Sequence, residues 1–330
     1  MFGRNSSIYL GGIATHFYAE FDTKLNPKRF EEALNKVIQR QEMLRAYICK
    51  DGTQVIMEEV PYYEVEYTDL SKLTEEEKTK EIESYRAQNS NRIIPLDTWP
   101  MFGFKFFRKD EESSVLAVDI DMMIVDGMST ELLIHQVMQY YNGEAVEPTI
   151  EVCFSDYMEL EKQKREKMEA VDKEFWMQNI QNFTAGPFIE KVQKDAPDIP
   201  YFYSLENVIE AEKWSAVERK LRKQRILPTI YLLTAYARMV SAWTNNEKLT
   251  INMTVSDRNN GYGKNFNETI GDFTKILPVD FDFTESEDLI TTAKKTQNKI
   301  AEYKKHMNCN ITSFAREVAL KDQMEDKAAF

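Results

Sequence analysis

The sequence predicts an α/β protein built as two lobes, and three observations carry that reading. Stretches of period-2 hydrophobicity alternate along the chain with stretches of helical period, the pattern of sheets covered by helices. The 330 residues suffice for two cores, and 42% hydrophobic with 12% aromatic content argues against disorder over most of the chain. A polar stretch after Asn142-Gly143 breaks the series, so residues 1–143 are expected to form one lobe and 144–330 the other.

In the first lobe, Ile8 to Phe21 is rich in β-branched and aromatic residues and interrupted by Gly11-Gly12, which predicts two strand segments with a bend. His16 within it reads as a packed, hydrogen-bonded residue. Asn26 caps a helix opened by Pro27, whose inner face is Phe30, Ala33, Leu34 and Val37. Short strands follow near Tyr47 and Val55, then a charged, solvated helix over 74–88. Pro95 and Pro100 lead into a strand in which Phe102, Phe104 and Phe106 share a face. Residues 115–122 alternate again: Val118, Ile120 and Met122 on an apolar face, Asp119 and Asp121 on the other. The next helix is expected to be capped by Ser129, to carry Leu132, Leu133 and Val137 inward and to stop at Asn142-Gly143.

In the second lobe, helices are expected over 153–169, too charged for a core element, and over 171–182. A loop with Pro187, Pro197 and Pro200 and a strand over 201–205 follow. Helices over 214–224 and from Pro228, a strand over 249–254, a strand over 276–283, and helices over 286–303 and 314–320 complete the pattern.

Charge and cysteine usage narrow the function classes. A net charge of −13, with lysines scattered rather than gathered in a stripe, provides no attraction for nucleic acid or anionic membrane. Cys49, Cys153 and Cys309 lie far apart with no C-x-x-C pair, which suggests neither zinc nor disulfides and points to the cytoplasm. The most apolar segment, 226–243, contains Pro228 and Arg238 and reads as a buried amphipathic helix rather than a membrane span. Met1-Phe2-Gly3-Arg4 lacks the features of a cleavable signal.

The loop Asp121-Met122-Met123-Ile124-Val125-Asp126-Gly127, followed by Ser129, resembles the condensation-type domains of nonribosomal peptide synthetases, relatives of chloramphenicol acetyltransferase. Ordinary members carry His-His-x-x-x-Asp-Gly at this strand-to-helix turn, and the heterocyclisation branch carries Asp-x-x-x-x-Asp and then Ser. Met122 occupies the position of the active-site histidine, and a thioether cannot move protons, so histidine-based acyl transfer is excluded there. The same branch is matched by Leu10-Gly11-Gly12 with Thr15, His16 and Tyr18, by Trp99-Pro100-Met101-Phe102, and by Pro228 to Ala237 ending in Trp243-Thr244. Leu249 to Thr254, Arg258, and Ile270-Gly271-Asp272-Phe273-Thr274 complete the match.

The resemblance implies two chloramphenicol-acetyltransferase-like lobes in a V around a central cleft or tunnel, with the Asp121–Asp126 loop at its floor. It also implies a chain truncated at both ends, with the second lobe incomplete. The implied activity joins a carrier-bound acyl thioester to the amine of carrier-bound Cys, Ser or Thr and cyclodehydrates the product to a thiazoline or oxazoline. Asp272, Thr254 and Asp121 are the implied catalytic residues, and Asp126 and Arg258 an implied structural ion pair across the lobes. From spacing alone Asp272 reads as a turn residue after Gly271; the motif assigns it chemistry. No cofactor or metal is implied within the domain. Substrates would arrive on 4′-phosphopantetheine arms, and the partners would be peptidyl or aryl carrier proteins and adjacent synthetase modules. Two other readings stay open: a non-catalytic or remnant domain that docks carrier proteins, and an ordinary amide-forming condensation domain, which Met122 disfavours.

Overall fold

A computed structural model describes residues 16–90, 92–186, 207–258 and 261–324. The Gly11-Gly12 bend, the proline-containing loop beyond Gly186 and the strand expected over 201–205 lie outside the described residues. The chain divides into two compact units, one of Met1–Glu161 with Ser256–Thr274 and one of Lys162–Val255 with Lys275–Phe330. This division differs from a single boundary at Gly143, because residues 144–161 and the remote segment 256–274 are held by the first unit's core and hydrogen bonds.

The first unit contains a four-stranded sheet ordered β1-β6-β5-β4: β1 His16–Thr23, β4 Glu66–Asp69, β5 Phe102–Arg108 and β6 Ser114–Asp121. β6 is antiparallel to both neighbours and β4 is parallel to β5. β2 Ala46–Ile48 and β3 Gln54–Ile56 form a separate antiparallel pair. Helix α1 (Pro27–Arg40) packs against α3 (Gly127–Asn142). Their residues Phe30, Leu34, Val37, Leu133 and Val137 share one core with Phe104, Phe106, Val118 and Ile120. Helix α2 (Glu75–Asn89) contributes Ile82 to a smaller cluster with Leu70, Phe107, Val115 and Ala117.

Successive side chains of a strand point to opposite faces, so β6, with apolar clusters on both, is buried at every position. The two carboxylates expected on an open polar face are therefore inside. Asp119 is paired with Arg92, whose Nε donates to Oδ2 at 2.5 Å. Gly103, its register partner, makes room, since a Cβ there would lie 2.2 Å from Asp119 Oδ1.

The caps expected from sequence are present. Asn26 accepts from Arg29 N, and Thr74 with Glu77 forms a capping box. Gly143 ends α3 in the left-handed conformation at φ 76°. β4 was not foreseen, because Glu-Tyr-Thr-Asp at a sheet edge is short and lacks apolar alternation. Trp99, in the Trp99-Pro100-Met101-Phe102 stretch, donates from Nε1 to Leu44 O at 2.8 Å.

The two helices expected over 153–182 are one, α4 (Phe154–Gln178), followed by a short turn at Ile180–Asn182. No Gly or Pro interrupts the stretch. Charged though it is, its first turns place Phe154 and Tyr157 in the first unit's core.

The second unit contains the rest of α4, α5 (Ala211–Gln224), α6 (Pro228–Thr244), α7 (Leu289–Tyr303) and α8 (Ile311–Lys321), with β7 (Lys248–Ser256) paired to β8 (Thr274–Asp282). Trp176, Phe183, Ile230, Leu277, Val279, Tyr303 and Phe314 lie in its core. Of the apolar face that the spacing predicts, α6 buries Ile230, Ala237 and Val240 and leaves Leu233 partly buried, while Leu232, Tyr236, Met239 and Trp243 on the other face are exposed. Among the described residues no helix is long and apolar enough to cross a membrane.

Candidate functional site

The loop between β6 and α3 is held by its own aspartates. Asp121 is fully buried; its Oδ1 accepts from Met123 N at 3.0 Å, and its backbone carbonyl accepts from Ile124 N at 3.2 Å. Asp126 has extended backbone, and its Oδ1 accepts from Ser129 N at 2.7 Å, so Asp126 is the helix cap and Ser129 is not. The reason is positional: an aspartate at the N-cap reaches the amide three residues on, which places Ser129 inside the first turn with its hydroxyl available to other segments.

Those other segments come from 256–274. Ser129 Oγ donates to Gly271 O at 2.7 Å and accepts from Gly271 N at 3.1 Å and from Arg258 Nη2 at 2.8 Å. Asp126 N donates to Gly271 O at 3.2 Å, and Asp126 Oδ2 accepts from Phe273 N at 3.2 Å. Arg258 Nη2 lies 3.5 Å from Asp126 Oδ1 with both side chains buried. Nη1 donates to Phe266 O at 2.6 Å and to Thr269 O, and the guanidinium stands 4.0 Å from the Phe273 ring centroid. Burial pushes Arg258 below the usual arginine range, and the Asp126 charge opposes that shift. The pair lies within one compact unit, not across two as expected, because 256–274 folds with the first unit.

Gly271 is required by close approach: a Cβ would fall 2.0 Å from Phe154 Cδ2. Asp272 comes next and is half-buried, with Oδ1 accepting from Thr274 N at 3.0 Å. Burial raises its carboxyl above the usual range against the Thr274 hydrogen bonds, and the nearby Asp126 charge adds to the rise.

Asp121, Asp126, Ser129, Arg258 and Asp272 therefore all belong to the first unit. Thr254 belongs to the second, exposed on β7. Sequence reasoning missed the buried carboxamides of Gln41 and Gln136, which bind Glu268 and Ile270, and the buried Asp257. Asp257 Oδ2 accepts from Tyr157 Oη at 3.0 Å and from Tyr262 Oη. The available signal for Gln136 was an amide on the inner, apolar side of α3. Among the described residues no group of three or more His, Cys, Asp or Glu side chains could hold a metal.

An α/β unit with a doubly covered sheet and a strand-to-helix turn tied to Gly271-Asp272-Phe273 is the arrangement of a known class. The condensation-domain family matches residues 4–330, and this chain belongs to it. Over 331 residues it is 28% identical to bacitracin synthase 1 of Bacillus licheniformis, spanning 99% of this chain and 6% of that protein. Over 304 residues it is 24% identical to phenyloxazoline synthase MbtB of Mycobacterium bovis, spanning 90% of this chain and 21% of that protein. Among solved structures, the EpoB cyclization-docking bidomain of a nonribosomal peptide synthetase from Sorangium cellulosum superposes with a TM-score of 0.88 at 25% identity. That match covers 98% of this chain and 66% of that one.

Proposed function

We propose that this condensation domain is of the heterocyclising kind. It would join a carrier-bound acyl thioester to carrier-bound Cys, Ser or Thr and close the product to a thiazoline or oxazoline. The observation that carries the reading is Asp272: a half-buried carboxyl with a raised proton affinity, set between the pinned residues Gly271 and Phe273. Met122 beside it in the motif set removes the histidine that an ordinary condensation domain would use. The relatives named for phenyloxazoline synthesis and for cyclization support the same reading.

In the first step the amine attacks the thioester carbonyl, the C–S bond breaks, and the amine proton ends on the leaving thiol. In the second, the side-chain thiol or hydroxyl attacks the new amide carbon and gives a hemiaminal. Its hydroxyl takes a proton and leaves as water while the nitrogen loses its proton and forms the C=N bond. Expelling hydroxide needs a donor, and a carboxyl whose neutral form is favoured by burial supplies one. Thr254 is proposed to assist by hydrogen bonding and Asp126 with Arg258 to hold the site together; Asp121, which the resemblance implies is catalytic, is proposed instead to shape the loop, because its carboxyl is fully buried and accepts from Met123 N. The substrates would arrive on phosphopantetheine arms of carrier proteins, since no part of this chemistry needs a bound cofactor.

The test is mass spectrometry of carrier-bound products in the synthetase context. Asp272→Asn should still release linear amide, because holding two reactants in attack geometry accelerates that step, while ring formation falls by about 10²-fold or more. Undiminished ring formation by Asp272→Asn would remove Asp272 from the chemistry.

A further inference from the structure

We propose that Gln41 and Gln136 are positioning residues for Asp272: two interlocked, buried carboxamides fix the backbone at Glu268–Ile270 and thereby set where Asp272 presents its carboxyl. The inference rests on the heterocyclising reading above and adds to it residues that lie outside every motif of the active loop.

Gln41 follows the last turn of α1 and is 0% exposed; Gln136 lies on α3 and is 2% exposed. Gln41 Nε2 donates to Gln136 Oε1 at 2.9 Å and to Glu268 O at 2.8 Å. Gln136 Nε2 donates to the same Glu268 carbonyl at 3.0 Å. Gln41 Oε1 accepts from Ile270 N at 3.0 Å. Only one orientation of each amide satisfies this set, because Ile270 N–H requires an acceptor and Glu268 O requires donors. Both Nε2 hydrogens and the oxygen of Gln41 are thus in use, which is what a buried carboxamide needs to avoid a desolvation penalty.

The consequence falls on Asp272. Upstream, Glu268 O and Ile270 N are held by the glutamines, and Gly271 N and O by Ser129 and Asp126. Downstream, Phe273 N is held by Asp126, and Phe273 O accepts from Asp257 N at 2.8 Å. Asp126 and Ser129 grip the chain on either side of Asp272, but the glutamines decide the direction from which it enters, by holding the residues three and one before Gly271. Gln136 lies on α3 and Gln41 caps the end of α1, and these two helices pack against each other, so the lock is built on rigid elements.

The test compares Gln41→Leu, Gln136→Leu and Gln41→His, each with Asp272 and with Asp272→Asn, in the carrier-loaded synthetase. The readouts are the ratio of ring to linear amide, total amide, and melting temperature. Gln41→Leu should lower the ring-to-linear ratio by about tenfold or more, since a displacement of about 1 Å at a reacting group costs up to 10²-fold, with total amide reduced far less. It should leave the ratio unchanged in the Asp272→Asn background. Gln136→Leu, which spares the Ile270 bond, should move the ratio in the same direction by less. Gln41→His, whose neutral imidazole offers one donor and one acceptor, should restore part of it. Equal losses of ring and amide, or a further fall in the ratio when Asp272 is already Asn, would overturn the positioning role. A normal ratio in Asp272→Asn alone would remove Asp272 from the chemistry and sink this proposal with it, whereas linear amide without any ring from the parent would sink the heterocyclising reading. A lowered ratio in Asp272→Asn together with a normal one in Gln41→Leu would sink only the positioning.

Discussion

Asp126 in the first unit and Asp172 in the second are both buried carboxylates that tie a helix to a segment far along the chain, 132 and 134 residues away respectively. Asp126 accepts from two backbone amides and stands beside Arg258, which stays charged and spends its shorter bonds on Ser129 Oγ and two carbonyls. Asp172, on α4, accepts from Asn308 N at 2.9 Å and Asn308 Nδ2 at 2.8 Å, with His306 Nδ1 3.0 Å away. His306 stacks on Phe175 with ring centroids 3.8 Å apart. Each carboxylate has several donors, as burial demands. They differ in the side chain beside the carboxylate: a guanidinium in one case, an imidazole in the other. Only the first of the two lies next to Asp272, the proposed proton donor, and there Arg258 also helps to fix the backbone through Phe266 O and Thr269 O.

This contrast can be broken most decisively at Asp126. Asp126→Ala leaves Arg258 buried beside no carboxylate and removes a helix cap, which should cost about 3 to 5 kcal/mol, read by denaturant unfolding. A loss under about 1 kcal/mol would mean that the carbonyls and Ser129 satisfy Arg258 by themselves. Asp172→Ala should cost less, about 1 to 3 kcal/mol in all, because no guanidinium is left buried without its carboxylate. If it costs as much as Asp126→Ala, the kind of side chain beside the carboxylate does not matter.

Gly271→Ala sharpens the comparison further. The second junction, His306-Met307-Asn308, contains no glycine, whereas at the first a methyl group would meet the Phe154 ring. Overpacking of that kind costs about 1 to 3 kcal/mol, and an unchanged melting temperature would show that Phe154 simply turns aside. The smallest effect is expected from Asp272→Asn, and it depends on pH. Burial raises Asp272, so its contribution to stability is complete below the unfolded aspartate value of about 3.9 and is lost as pH rises through the folded value. The variant should therefore match the parent at low pH and melt slightly above it at neutral pH. Parity at every pH would indicate that solvent reaches Asp272 freely.

Much of this was legible in the sequence because it is local. Asn26-Pro27, Thr74 with Glu77, the alternating phenylalanines of β5 and the stop at Gly143 each depend on residues within one or two turns, and caps and periodicity are decided at that range. The motif residues Asp126, Arg258 and Asp272 were identifiable by resemblance, although their geometry was not. What failed was whatever required knowing which distant segment arrives. Ser129 looked like a cap until Asp126 took that place and Gly271 claimed its hydroxyl. The first part of α4 looked too charged for a core element until its first turns took Phe154 and Tyr157 into the first unit's core.

The sequence by itself determined the alternation of strands and helices, their caps and inner faces, and the family-bearing loop, since neighbours along the chain impose these through sterics and hydrophobic spacing. Only the tertiary structure decided that 256–274 folds with the first unit and that Gln41 and Gln136 close on Glu268 and Ile270. A polar side chain carries no mark of its partner. Its hydrogen bonds are chosen when apolar burial brings remote segments together and leaves each buried donor and acceptor to be satisfied by whatever lies within 3 Å or so.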